Sequence, residues 1–169
     1  MTEKLYLSAL VVNRAGVLLR VAGLFARRGF NIQSLTVSET ENPKFSRMTI
    51  VSEVEPSSFN QVEQQLLKLE DVVKVIRLNE SNLISSELLL VKVFATNSQR
   101  PDVLDIVSSY GARIRDVGHK TMTAELTGTS QLVDEFIHQM EKFGIAELSR
   151  SGSTALKSGD FSISNGDIN

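Results

Sequence analysis

The order of predicted strands and helices constrains the fold of this 169-residue chain more than any other feature. Short apolar or alternating runs predict strands, and apolar residues spaced three and four positions apart predict helices. In the first half they predict the order β-α-β-β-α-β. The strands cover Leu5–Val12, Ile32–Ser38, Ser46–Val54 and Val72–Leu78, and the helices are marked by Val17–Phe25 and Phe59–Leu69.

The second half of the chain repeats this order. Its predicted strands cover Glu87–Ala95, Ala112–Val117, Thr121–Thr127 and Ile145–Arg150, and its helices are marked by Val103–Tyr110 and Val133–Met140. The βαββαβ order is that of a ferredoxin-like unit, an antiparallel four-stranded sheet with two helices on one face. The sequence therefore predicts an α+β fold of two tandem ferredoxin-like units.

Composition along the chain sets the expected domain boundaries. We expect a first domain over residues 1–79 and, because residues 80–86 are polar and carry no strong period, a linker there. A C-terminal ferredoxin-like domain is expected over residues 87–156. The last stretch, residues 157–169, is rich in Ser, Gly and Asn and is expected to be a flexible tail.

Charge and residue counts exclude several classes of function. With 18 basic and 20 acidic residues the chain is not built to coat nucleic acid or an anionic membrane. The absence of cysteine excludes disulfides, thiolate nucleophiles and Cys-based zinc sites. His119 and His138 are too far apart in sequence for a metal-binding pair on one helix, so no metal site is expected. The sequence has no secretory leader and no apolar run long enough to cross a bilayer, so we expect a cytoplasmic protein.

RNA-recognition modules share the predicted element order and need aromatic residues on their strands to stack on bases. The strand expected to carry them, Ser46–Val54, has no aromatic residue, and Phe45 lies just outside it. The sequence therefore predicts no nucleic-acid partner.

The turn Asn13–Gly16 joins the end of a strand to the start of a helix. Free backbone N–H groups and the helix dipole favour an anion such as a carboxylate at this place. The alternative is that Asn13 only caps the helix. Asn31, at the start of the next strand, either bonds its own backbone in a turn or offers an amide to a zwitterionic ligand.

Other polar segments favour structural roles. Thr127–Ser130 lacks the lysine of a phosphate loop and is interpreted as a helix cap. The run Ser149–Ser153 is interpreted as a surface turn, with an anion site as the alternative. The carboxylates form no evident catalytic pair, and the two histidines are interpreted as surface residues, so no catalytic residue is predicted.

Specific stretches resemble a known family. In the first half these are Asn13–Leu18, Val21–Phe25, Arg28–Val37, Ser46–Ile50 and Gln65–Val72; in the second half they are Glu87–Val93, Gly128–Ser130 and Arg150–Gly152. Residues 1–79 resemble an ACT domain, and the chain as far as Leu156 resembles the regulatory small subunits of acetolactate synthase (acetohydroxyacid synthase).

The resemblance implies a homodimer formed through ACT domains whose sheets join side by side. It also implies a feedback inhibitor, valine or another branched-chain amino acid, bound at that interface. The matching positions are Asn13, Gly16 and Asn31, with Val17 and Ile32 lining a small apolar pocket. Arg14 departs from the acidic residue common at its position in the family.

The resemblance further implies a non-catalytic regulatory subunit in branched-chain amino-acid biosynthesis. Such a subunit activates a catalytic large subunit, which carries the thiamine diphosphate, FAD and magnesium, so no cofactor is expected in this chain. Some relatives bind ATP through the second domain, but no phosphate motif supports that here. Two alternatives remain: an ACT protein that regulates another enzyme, and an acylphosphatase-like enzyme using Arg28 and Asn31.

Overall fold

The computed structural model describes residues 2–167, which form two separate units. The first unit contains the chain as far as Ile84 and again from Ser153 onwards, and the second contains Ser85–Gly152. Each unit has its own hydrophobic core.

The first unit is built on one antiparallel sheet. Its strands lie in the order β2-β3-β1-β4, so β2 and β4 are the edges. The elements are β1 (Glu3–Val12), α1 (Val17–Arg27), β2 (Ile32–Glu39), β3 (Phe45–Val54), a 3-10 turn (Pro56–Ser58), α2 (Phe59–Leu67) and β4 (Val72–Leu78).

Helix α1 forms because its apolar residues recur at helical spacing on one face. Val17, Val21, Leu24 and Phe25 are all buried there. They pack on the sheet face that carries Leu7, which is opposite Ile50 of β3 in the strand register. The predicted stripe of α2 packs on the same core.

The second unit repeats this architecture. Its strands lie in the order β6-β7-β5-β8. The elements are β5 (Leu83–Phe94), α3 (Arg100–Ser109), β6 (Arg113–Val117), β7 (Thr121–Gly128), α4 (Ser130–Glu141) and β8 (Ile145–Arg150). Phe136 of α4 is fully buried, and its ring lies 5.3 Å from that of Tyr110 between centroids. The predicted fold of two tandem ferredoxin-like units is confirmed.

The structure differs from the prediction over residues 80–86. A 3-10 turn covers Glu80–Asn82, and β5 already begins at Leu83. Asn79 and Asn82 bond each other's backbone in a capping box, which ends β4 and starts the turn. The segment is therefore ordered secondary structure, which its lack of apolar periodicity concealed.

The C-terminal segment also differs from the prediction. Residues 153–156, assigned from the sequence to the second domain, belong to the first unit, together with the expected flexible tail as far as residue 167. The segment contains β9 (Thr154–Lys157), β10 (Phe161–Ser162) and β11 (Gly166–Asp167). Ala155 and Ile163 are buried, although the composition of the segment is mostly polar, and the Ser158 N–H donates to the Asn82 carbonyl at 2.8 Å. Residues 168 and 169 lie outside the described residues.

Hydrogen bonds attach this segment to the open face of the first sheet. The backbone N–H of Ser153 donates to Ser34 Oγ, and Thr36 Oγ1 donates to the Ser153 carbonyl, each at 2.9 Å. Ser34 and Thr36 lie on the same face of β2, opposite the helices. The C-terminal segment thus lies against part of the sheet face that the helices leave open.

A buried ion pair connects three elements of the second unit. The Arg150 guanidinium at the end of β8 donates to the Glu87 carboxylate, only 4% of whose side chain is exposed, and to Asp134 Oδ1 at 2.6 Å. Ser130 at the start of α4 also donates to Glu87. Burial lowers the pKa of Arg150, but its hydrogen bonds to Glu87 and Asp134 raise it, and the net shift is upward.

We expect Leu24→Ala to lower the free energy of unfolding by about 2–5 kcal/mol, because it leaves a cavity in a closed core. Leu24 is 5% exposed. Leu19→Ala, in the same helix at a position 76% exposed, is the matched control and should change stability by no more than about 0.5 kcal/mol. Urea unfolding of both variants measures the difference, and equal losses would contradict the packing described for α1.

We expect Arg150→Met to cost about 3–5 kcal/mol of stability in the second unit, because it removes the guanidinium from a buried carboxylate. The control is Lys92→Met, whose ammonium lies 3.5 Å from a Glu147 carboxylate that is 74% exposed. That loss should stay below about 1 kcal/mol. Thermal unfolding measures both, and a control as damaging as Arg150→Met would disprove a special role for the buried pair.

Candidate functional site

The turn between β1 and α1 takes a conformation that favours glycine. Gly16 precedes the first residue of α1 with φ at 85°, in the left-handed region that other residues rarely adopt. Asn13 does not cap α1. Its side-chain amide instead donates to Glu39 Oε1 and to the Pro43 carbonyl, each at 3.0 Å. The capping interpretation of Asn13 is therefore wrong, because its amide is held by the β2–β3 hairpin.

Backbone donors at this turn remain available. The Asn13 N–H donates to the Lys44 carbonyl, and the Arg14 N–H donates to the Val12 carbonyl. Within residues 2–167, the N–H groups of Ala15, Gly16 and Leu18 have no acceptor. The first turn of α1 contains no acidic residue and has no side-chain cap. Free N–H groups and the positive end of the helix dipole make this place suitable for a carboxylate.

A cleft of about 270 Å³ opens at this turn. Its lining includes Asn13, Gly16, Val17, Leu18 and Val37. The Val17 side chain is only 3% exposed and belongs to the hydrophobic core, whereas Leu18 and Val37 are exposed. Leu18 and Val37 are two exposed apolar side chains of the cleft that sequence reasoning did not assign to the site, because an exposed leucine or valine has no distinctive local pattern.

Asn31 and Ile32 lie elsewhere in the same chain. Asn31 is exposed just before β2 and accepts a hydrogen bond on its carbonyl from Ser52 Oγ at 2.6 Å; Ile32 packs on the core. The other end of β2 is Glu39, which contacts Asn13. Seven strand steps separate the two ends by roughly 23 Å. One copy of the chain therefore brings together Asn13, Gly16 and Val17, but not Asn31 and Ile32.

A buried carboxylate supports the turn. Asp71, 2% exposed, forms ion pairs with Arg14 and Arg20, and Arg20 Nε donates to its Oδ2 at 2.6 Å. The Asp71 carbonyl also accepts the Val12 N–H at 2.8 Å. One carboxylate faces two guanidinium groups, so the cluster adds one net positive charge beside the free N–H groups. No local pattern predicts a pair 51 residues apart.

The remaining candidates of the second unit have structural roles. Thr129 caps α4 by accepting the Leu132 N–H at 3.3 Å, which confirms the interpretation of that loop as a cap. The guanidinium of Arg150 is already bound to Glu87 and Asp134, which accounts for the basic group of the Ser149–Ser153 run. His138 is 78% exposed and lies 3.1 Å from Glu141, as expected for a surface residue.

Metal clusters and membrane spans are both missing from the described part of the chain. Within residues 2–167, no group of three or more histidine, aspartate or glutamate side chains is arranged to hold a metal ion. Across the same residues, none of the helices is long and apolar enough to span a membrane.

Family comparisons cover both units. Residues 7–74 match the family described as the AHAS small subunit-like ACT domain, and residues 86–159 match the small subunit of acetolactate synthase. A probable acetolactate synthase small subunit of Methanothermobacter thermautotrophicus is 44% identical, over 90% of this chain and 92% of the relative. The acetolactate synthase small subunit of Mycolicibacterium smegmatis is 42% identical, over 90% of each chain.

A solved structure agrees with these matches. The crystal structure of the acetolactate synthase small subunit from Thermotoga maritima superposes with a TM-score of 0.86 at 34% identity. The superposition covers 93% of this chain and 98% of that one. With both units matched in sequence and in fold, the chain belongs to the acetolactate synthase small-subunit family.

Proposed function

We propose that this chain is the regulatory subunit of an acetolactate synthase. It binds the catalytic large subunit, raises its activity, and makes that activity sensitive to valine or another branched-chain amino acid. The observation that carries the proposal is the helix start at Gly16, where residues whose backbone N–H groups have no acceptor in the described chain line an open cleft.

The ligand site we propose needs two copies of the chain. Strand β2 is an edge of its sheet. When two identical edge strands pair antiparallel about a two-fold axis, the start of one lies beside the end of the other. This pairing brings Asn31 of the partner subunit to the Asn13–Gly16 turn, which it cannot reach within one chain. A homodimer through the ACT domains therefore completes the site.

Each proposed residue has a separate role. The N–H groups of Ala15 and Gly16 hold the ligand carboxylate, and Asn31 from the second copy binds its polar end. The side-chain nitrogen of Asn13 already donates to Glu39 and Pro43, whereas its side-chain oxygen is free to accept a hydrogen bond from the ligand ammonium. Val17 of one copy and Ile32 of the partner subunit form the floor of the apolar part. Burying the three side-chain carbons of valine contributes about 2 kcal/mol, so the polar contacts must supply the rest.

The mechanism is allosteric, and we assign no catalytic residue to this chain. Thiamine diphosphate, FAD and magnesium belong to the large subunit in this proposal. Valine inhibits only if it binds one state of the complex more tightly than the other. A typical coupling of about 1–3 kcal/mol corresponds to a 5- to 150-fold difference in affinity between the two states.

The first test is acetolactate formation by the cognate large subunit, with and without this chain, across a valine titration. We expect activation by the chain and reversal of that activation by valine. The large subunit alone, titrated with valine, is the control. If two folded proteins show neither activation nor a valine response, the function is rejected, and calorimetry with other amino acids tests the stand-alone ACT alternative.

We expect Gly16→Asp and Asn31→Ala to weaken valine binding about 10- to 100-fold. Gly16→Asp places a negative charge beside the ligand carboxylate, and Asn31→Ala removes an amide that binds the polar end of the ligand. A charge-assisted hydrogen bond of this kind is worth about 1.5–3 kcal/mol. Activation of the large subunit should persist. Calorimetry of valine binding to the full chain measures the loss.

Matched controls separate this effect from general damage. Gly111→Asp puts the same charge at another glycine of positive φ, where an added side-chain carbon would meet no atom within 4 Å, and Asn97→Ala removes another exposed amide. Both controls should bind valine as the unsubstituted chain does. Unchanged affinity in Gly16→Asp and Asn31→Ala would overturn the site assignment even if the activation assay succeeds.

A further inference from the structure

A second cavity lies in the first unit, under the C-terminal segment. It measures about 220 Å³ and is lined on one side by Thr40, Glu41 and Arg47. Lys157, Phe161 and Ser162 of the C-terminal segment line the other side. The cavity is separate from the Asn13–Gly16 cleft, and the two share no lining residue.

Arg47 is the central group of this cavity. It lies on β3 opposite Leu10, and its Nε donates to Ser8 Oγ at 2.8 Å, where Ser8 itself is fully buried. This bond fixes the guanidinium in position. Within residues 2–167, neither of its two terminal nitrogens has a hydrogen-bond acceptor or a carboxylate at ion-pair distance. These two nitrogens are therefore available to a ligand.

No carboxylate within residues 2–167 lies at ion-pair distance from Arg47, and the charges around it leave the cavity positive. Burial lowers the pKa of Arg47, and the more distant Glu41 raises it without cancelling that shift. A second cation, the Lys157 ammonium, lies 4.3 Å from the centroid of the Phe161 ring, and Lys74 approaches the same ring at 5.4 Å. The lining carries two cations, Arg47 and Lys157, and one carboxylate, so its net charge is positive.

Hydroxyl donors complete the cavity. Ser162 Oγ accepts the N–H groups of Ser164 and Asn165, so its own proton is free to donate. Ser164 Oγ donates to Glu41 Oε1 at 3.4 Å. A rigid guanidinium fork, an ammonium and a hydroxyl are the groups that bind phosphate or carboxylate oxygens.

We propose that this cavity binds a compact oxyanion, a phosphate or carboxylate group on a small molecule. The two terminal nitrogens of Arg47 hold two of its oxygens, and Lys157 and Ser162 hold it from the other side. Because the ligand contacts both the sheet and the C-terminal segment, its binding stabilises the attachment of that segment. This inference does not depend on the binding of an amino acid at the other cleft.

The test is a titration of the full chain with inorganic phosphate, monitored through the amide NMR signals of Phe161 and Ser162. A titration with sodium chloride at matched ionic strength is the blank. Acetate is titrated in parallel. We expect saturable shifts in at least one of the two titrations. If phosphate binds and acetate does not, the ligand group is a phosphate. If acetate binds and phosphate does not, it is a carboxylate.

Variants decide whether the cavity is the site. Arg47→Gln and Lys157→Gln should each weaken binding about 10- to 100-fold, as expected for a lost charge-assisted hydrogen bond. Lys142→Gln is the matched control, because it removes a lysine that lies 5.1 Å from the Phe143 ring in the second unit. It should leave binding unchanged.

The outcomes are distinct. If Arg47→Gln fails to fold, Lys157→Gln still decides, since Lys157 is only partly buried and is not part of the hydrophobic core. The proposal is overturned if neither anion gives saturable shifts beyond those of sodium chloride. It is equally overturned if Lys157→Gln binds the anion as tightly as Lys142→Gln does.

Discussion

The ion pairs of Asp71 hold together the parts of the first unit on which its candidate site depends. A buried carboxylate needs positive partners, and it takes them from Arg14 in the turn and from Arg20 one turn into α1. The turn is therefore fixed to the start of β4 as well as to β1. In this turn Gly16 has a left-handed conformation, and the N–H groups of Ala15 and Gly16 have no acceptor within residues 2–167.

The fold could be predicted because local and global signals agree in this chain. The stripes of α1 and α4 have helical spacing, and the strands are bounded by turn residues, so the repeated βαββαβ order was visible. Thr129 was recognisable as a cap because its partner, Leu132, is three residues away. Helical spacing, turn residues and helix caps each involve residues that are only a few positions apart. Sequence patterns describe relations over this short separation.

The remainder depends on contacts between distant residues. Asp71 was recognisable only as one of several acids near a helix end, since its partners are 51 or more positions away. Asn13 has a cap-like position, yet its amide is taken by Glu39 and Pro43 of a hairpin that no local pattern connects to it. The C-terminal segment is polar in composition, but Ala155 and Ile163 are buried and Ser153 is hydrogen-bonded to Ser34 and Thr36 of β2, at least 117 positions away.

The first unit is assembled from both ends of the chain, whereas the second is one continuous segment. A ribosome therefore releases all of the second unit before it releases the residues that cover the open face of the first. The N-terminal unit, although translated first, is the last to be completed. Removal of residues 153–167 would consequently disturb the sheet whose strands are translated first.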